Sequence, residues 1–371
     1  PAPPDSVASR GLGDVYKRQE LIGPYWDSLP AKAAEAVSSA RWAAKPADVG
    51  VGEGSCSINV NRRPSLSDGT LFTGRNWDGF VDREVGVVAI NNKQGDPIAT
   101  ILNYACHPTI LGPANKLLSP DYPGTARKVV EQHVGGICLF LQGAAGNCGP
   151  THGFIGEVAV AERLGTRLGL EAAKVRLEID PIPRTERLVE VVPSGADLGM
   201  YEDDPAGEPD DNLRIVNTNV QLPVGQFPSI DDAQADFDQA VALLNATRQN
   251  GSEAEIKEAV KDAKRSSFVL GNATRTADGP MSMPVQAMRI GPAALVAIPV
   301  EPFAEIGVAV KNSSPAGQTL FGGYSNGYMG YMPMADNFEE GGYEVVTTPM
   351  AAGAAEETIS ACSDAVQALW R

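Results

Sequence analysis

Six runs of the chain concentrate or alternate aliphatic and β-branched residues, and Gly, Pro or Asn bound each of them. They are GVVAI (86–90), PIATILNYA (97–105), ICLFLQ (137–142), RLVEVV (187–192), PVQAMRI (284–290) and ALVAIP (294–299). Such runs predict strands. The turn-rich NNKQG joins the first two as a hairpin. Helical spacing lies between them. YPGTARKVVEQH follows a proline and stops at a double glycine. Val160, Leu164, Leu168 and Ala172 share one helix face. Near the end, Ile359, Cys362, Val366 and Leu369 do the same. Strands and helices alternate without regular βαβ units. The pattern therefore predicts an α/β chain of the α+β kind, with mixed, largely antiparallel sheets flanked by helices.

One region breaks the pattern. From about 229 to 268 the chain is charged and carries two amphipathic helical stretches, broken at NGSEAE. Ser252 and Glu255 have capping-box spacing, so this region predicts a helical hairpin insert. The acidic YEDDPAGEPDDN before it predicts a loop. The opening SVASRGLGDVYKRQ reads as translated adaptor sequence, so residues 1–19 are expected to be foreign to the fold. Residues 20–371 are then expected to form one catalytic domain carrying the insert.

Composition narrows the function. A hydrophobic share of 43% fits a globular chain. A net charge of -16 argues against nucleic acid, which needs a basic stripe, and against anionic membrane surfaces. No apolar run approaches the ~18–20 residues needed to cross a bilayer, so no transmembrane segment is expected. The five cysteines make no CxxC and no metal spacing.

Polar residues gather where predicted strands end, which is where function tends to sit. CHPT follows one strand, QGAAGNCGPTHG the next, VEPF a third, and SNGYMGYMP follows QTLFGGY. His107 and Glu301 are residue types that ligate zinc. With no HExxH spacing, a packed or capping histidine fits the same pattern. Tyr328 reads as packing and Arg62–Arg63 as a solvated pair. Ser119 and Asp121 organise a turn, and His133 is a solvent-facing helix end.

Taken together, INVNRRP, NYACHPTILG, LLSPDYPG, FLQGAAGNCGP, AIPVEPFAEIG and GYSNGYMGYMP…FEEGGYEV resemble, in order, the neutral/alkaline non-lysosomal ceramidase family. The resemblance spans roughly residues 50–350. It implies a zinc-dependent amidohydrolase that cleaves the N-acyl bond of ceramide, a lipid substrate. It implies zinc ligands at His107, Glu301 and Tyr331. It implies Tyr343 at the substrate carbonyl and Arg62 near the scissile group. Family members are often exported, so it also implies a secreted or periplasmic protein.

Two departures qualify the resemblance. The family's first zinc histidine lies in a His-x-His stretch whose match is expected upstream of residue 20. His152 is a weaker substitute for it. The slot of the family's proposed serine nucleophile holds Gly149, with Cys148 beside it. Attack by zinc-bound water is the reading that needs no serine. A non-catalytic binding protein on a degraded amidase scaffold, or a metallohydrolase of a non-lipid ester or amide, remains the alternative. The family's C-terminal immunoglobulin-like domain has no match in this chain.

Overall fold

β-branched runs bury best where both faces of a sheet are covered, and here five of the six runs lie in two four-stranded sheets, while RLVEVV forms an exposed strand paired only with its neighbour. The computed structural model describes residues 19–371. The expected adaptor segment lies outside the described residues, except for Gln19. The described residues divide into two compact units, 19–46 with 225–279, and 47–224 with 280–371.

In chain order the elements begin with α1 (Gln19–Trp42), β1 (Ala47–Ser55), β2 (Asn59–Asn61), β3 (Glu84–Asn92) and β4 (Pro97–Tyr104). Next come α2 (Asp121–Val134), β5 (Ile137–Gln142), β6 (Cys148–Pro150) and α3 (Val158–Glu178). β7 (Arg184–Val192), β8 (Leu198–Pro205) and β9 (Leu213–Leu222) precede α4 (Ile230–Asn250) and α5 (Glu253–Thr276). The last part holds β10 (Met281–Ile290), β11 (Ala293–Ala297), β12 (Glu301–Pro302), α6 (Ala304–Ser313) and β13 (Gln318–Gly322). It ends with β14 (Tyr331–Met332), α7 (Asn337–Glu340), α8 (Tyr343–Thr347) and α9 (Ala354–Ala368).

The larger unit is built on two four-stranded sheets, ordered β1-β3-β4-β5 and β13-β11-β10-β9. Each has three antiparallel strands and one parallel pair, β4 with β5 and β11 with β13. The two-residue period of a strand sorts the side chains. Val88 and Ile101 turn inward and meet Ala293 and Leu320 of the other sheet. Val85, Val87, Leu102 and Tyr104 turn outward onto Tyr122, Ala126 and Val130 of α2 and Leu164 and Leu168 of α3. The second sheet repeats the arrangement, burying Val285, Ala287, Val296 and Phe321 with Ile306 of α6 and Cys362 and Val366 of α9. The mixed, largely antiparallel architecture with flanking helices is thus the one the pattern predicts.

The sheets are also tied by a buried amide. Asn103 Nδ2 donates to Leu141 O at 2.8 Å and to Phe321 O at 3.0 Å, and its Oδ1 accepts from Phe321 N at 3.3 Å. One side chain therefore joins β4, β5 and β13 behind the ends of all three.

The smaller unit contains the expected hairpin. Ser229 caps α4, and the Ser252–Glu255 capping box starts α5. Leu244, Ala259 and Ala263 form its apolar seam. α5 runs to Thr276, beyond the expected end near 268, and Ala273 in that extension is buried. The acidic stretch is only partly a loop. Its first residues belong to β8, where Arg187 of β7 pairs with Glu202 at 2.8 Å and Asp204 at 2.6 Å. That cross-strand match recruits acidic residues into a strand.

Removing the amide tie exposes its worth. Asn103→Ala strands buried backbone groups and should lower the unfolding free energy by about 2–3 kcal/mol. Leu118→Ala, on a fully exposed side chain, should stay within about 0.5 kcal/mol of the parent. Urea titration measures both, and equal midpoints for Asn103→Ala and the parent would show that the tie contributes nothing.

Candidate active site

His107 stands three residues beyond β4 and is buried. Its Nδ1 lies 2.6 Å from Ala145 O and 3.1 Å from Cys148 O. Carbonyls only accept, so Nδ1 carries a proton, and in the neutral imidazole Nε2 keeps its lone pair. Both carbonyls come from the small-residue loop after β5. That loop lies against β12, where Gly146 N donates to Pro302 O at 2.7 Å. A Cβ on Gly146 would sit 2.5 Å from Glu301 O, so only glycine permits this approach.

Glu301 and Tyr331 are ladder neighbours, because β12 and β14 pair in parallel with Glu301 opposite Tyr331. Glu301 Oε2 lies 3.0 Å from His107 Nε2. The Tyr331 hydroxyl is 3.4 Å from the same nitrogen. The structure therefore brings His107, Glu301 and Tyr331 together. Burial would raise the Glu301 carboxyl, but His107, Tyr331 and Tyr328 hold it below its ordinary value. Burial, reinforced by the Glu301 charge against the opposing pull of Arg62, pushes the Tyr331 phenol up.

Two further phenols reach the same carboxylate. Tyr328 donates to Glu301 Oε1 at 2.8 Å while remaining 50% exposed. The expectation of a mere packing residue is therefore corrected. Its ring spans from the surface to the buried carboxylate. Tyr324 donates to Glu301 Oε2 at 3.0 Å and lies 3.3 Å from His107 Nε2. Nothing in the sequence pattern singles out Tyr324. Its place depends on a backbone φ of +58°, a left-handed conformation that costs an aromatic residue about 1–3 kcal/mol. The double glycine before it was the one available hint of an unusual turn.

Arg62 leaves the end of β2 and Arg63 follows. Both are buried rather than solvated, which corrects the surface-pair expectation. The reason is Glu344 of α8, another residue the sequence pattern does not mark. Arg62 Nε donates to Glu344 Oε1 at 2.9 Å and Arg63 Nη1 to Glu344 Oε2 at 2.6 Å. Arg62 Nη2 is also 2.9 Å from Glu344 Oε1 but out of line for a hydrogen bond, which leaves it a buried donor without one among the described residues. Burial opposes the Arg62 charge, yet Tyr331 and Glu344 outweigh it and raise the guanidinium pKa. The guanidinium lies 5.3 Å from the Tyr331 ring centre, and the Tyr343 ring lies 5.6 Å from it. Tyr343 is 47% exposed, so it stands at the mouth of the site.

The remaining candidates fall elsewhere. His152 and His133 are exposed. Asp121 accepts from Leu111 N at 2.9 Å and Tyr122 N at 2.7 Å, and its own N bonds Ser119 Oγ at 3.1 Å, as a turn organiser does. Cys148 is buried, and burial pushes its thiol up. Gly149 has no positive φ, and a Cβ there would meet Arg62 Cβ at an ordinary 3.6 Å. The backbone would thus admit a side chain that this chain lacks.

The donor set suits a metal ion. No three of His, Cys, Asp and Glu cluster among the described residues, and the further donors beside His107 and Glu301 are the phenols of Tyr324 and Tyr331. His107 Nε2 and Glu301 Oε2 are both acceptors, yet they face each other at 3.0 Å. A cation, either a proton or a metal, has to lie between them. A tetrahedral zinc with bonds near 2.0–2.1 Å spaces its ligands about 3.3 Å apart, close to the separations of 3.0, 3.3 and 3.4 Å around Nε2.

No protein-family model matches the chain, and no curated protein matches it. Solved structures do. A ceramidase complexed with C2 aligns over 88% of this chain and 54% of its own, with a TM-score of 0.53 and 18% identity. The neutral ceramidase from Pseudomonas aeruginosa aligns over 88% and 52%, with a TM-score of 0.54 and 19% identity. The chain spans about half the length of these structures. It has a neutral ceramidase-like fold.

Proposed function

We propose that the chain is a zinc-dependent amidohydrolase of ceramide or a related N-acyl lipid. The observation that carries the reading is the facing pair of acceptors, His107 Nε2 and Glu301 Oε2, with Tyr331 beside them, in a ceramidase-like fold. His107, Glu301 and Tyr331 are the proposed zinc ligands. The larger unit holds all of them, and we take it as the catalytic part and the α4–α5 hairpin as an insert. A similar structure was solved in complex with C2, which favours a lipid-like substrate. Among the described residues no helix is long and apolar enough to cross a membrane, and the resemblance favours a secreted or periplasmic enzyme.

When bound, zinc would polarise the scissile carbonyl and acidify a water molecule. The chain's own residues set the rest. Arg62 keeps a buried N–H without a hydrogen bond among the described residues, and Tyr343 offers a phenol at the mouth, so we assign both to donate to the oxygen that becomes negative. After cleavage the same guanidinium suits the fatty-acid carboxylate. Gly149 offers no hydroxyl and burial keeps the Cys148 thiol protonated, so the attacking group is water.

The parent protein should bind about one zinc per chain, the stoichiometry of a single catalytic site. His107→Ala should lose it, as measured by atomic emission after dialysis; an unchanged zinc content in that variant would sink the assignment. Release of a fluorescent amine from an N-acyl conjugate should stop with chelator and return with zinc. A chelator-insensitive reaction would point to a different mechanism, and no release from any acyl chain would favour a binding protein. Arg62→Ala should lower kcat about 10²–10³-fold, the usual worth of one oxyanion donor, with zinc content kept. A kcat within threefold of the parent would remove Arg62 from the chemistry.

A further inference from the structure

We propose that Tyr324 is an additional protein ligand of the same metal centre, one that the family resemblance does not supply. The inference rests on the zinc reading above. Three donor atoms close a triangle: His107 Nε2 to Glu301 Oε2 at 3.0 Å, Glu301 Oε2 to the Tyr324 hydroxyl at 3.0 Å, and that hydroxyl to His107 Nε2 at 3.3 Å. Tyr331 approaches Nε2 at 3.4 Å. Ligands around one tetrahedral zinc are about 3.3 Å apart, so Tyr324 occupies a vertex as well as Tyr331 does.

Backbone conformation supplies an independent argument. Tyr324 holds φ +58°, which an aromatic side chain rarely adopts. Gly322 and Gly323 stand just before it, so the turn could have used glycine at the strained position. The conformation is enforced from both sides. Gly323 N donates to Gln142 O at 3.1 Å, Tyr324 N to Val300 O at 2.9 Å, and Ser325 N to Ile298 O at 2.9 Å. Asn326 follows at φ +62°. What the strained residue gains is one thing, a hydroxyl placed between the imidazole and the carboxylate. Strain maintained by its surroundings is a mark of function.

Two roles must be separated. A phenol that only steadies Glu301 would also weaken zinc when removed, because outer partners typically change metal affinity about 10–100-fold. Direct ligation leaves a signature that steadying does not. Iron(III) loaded in place of zinc absorbs visible light through charge transfer from a coordinated phenolate. Wild-type protein, Tyr324→Phe and Tyr331→Phe are loaded with iron(III), and the band is read against the measured iron content. Phenylalanine keeps the ring and the turn, and equal melting temperatures would show that the variant is folded. The expected result is a weaker or shifted band in Tyr324→Phe at equal iron content, with zinc bound about 10–100-fold more weakly in chelator competition. A band identical to the parent's in Tyr324→Phe overturns the inference and leaves the zinc reading intact. A wild-type protein that takes up neither zinc nor iron overturns both.

Discussion

Two hydrogen-bond acceptors held 3.0 Å apart in a buried site repel each other unless a cation lies between them. This single contact between His107 and Glu301 organises the rest of the site. The imidazole cannot turn away, because its other nitrogen is bound to two carbonyls. The carboxylate cannot turn away either, because phenols hold both of its oxygens. The protein thus holds the imidazole nitrogen and the carboxylate oxygen facing each other, a contact that either a proton or a metal ion between them satisfies.

Around that point the chain arranges charge of the opposite kind. Arg62 and Arg63 share the buried Glu344, and Arg63 also reaches Gly341 O at 2.8 Å. A buried pair of this sort contributes little to stability once desolvation is counted, but it fixes geometry. The geometry fixed here is that of α8 relative to the end of β2, and therefore of Tyr343 relative to Arg62. The spare donor on Arg62 follows from the same clamp, since Glu344 takes Nε in line and Nη2 out of line.

Much of this was legible in the residues. All six β-rich runs are strands; in five of them burial within the two layered sheets leaves the signature, while RLVEVV is exposed along its whole length and is held by its pairing with β8. The capping box at Ser252 and Glu255 is local chemistry and reads directly. The ordered motifs mark His107, Glu301, Tyr331, Arg62 and Tyr343, and their side chains are neighbours in the fold. Tyr324, Tyr328 and Glu344 were not legible as site residues. Tyr324 is placed by a left-handed turn that propensity does not encode for an aromatic residue. Glu344 gains its meaning only when a chain separation of more than 280 residues closes onto Arg62. The burial of Arg62 and Arg63 was hidden for the same reason, as a pair of arginines next to a proline looks solvated until its acidic partner arrives.

The sheets explain why these distant pieces meet. Each four-stranded sheet is antiparallel except for one parallel pair, β4–β5 in the first and β11–β13 in the second. A parallel pair sends both chains out at the same edge, and loops at the carboxyl ends of such strands are a common place for ligand sites. The ends of β4 and β5 give His107 and the small-residue loop, and those of β11 and β13 give Glu301 and the tyrosine loop. The two edges are joined directly, because Gly323 N, after β13, donates to Gln142 O at the end of β5. Asn103 ties β4 to β5 and β13 just behind that junction. The antiparallel strands then serve to build and bury the layers, while the two parallel pairs decide where four loops converge. A contact between residues almost 200 positions apart, such as that of His107 with Glu301, needs such an edge, since no local motif can bring them together.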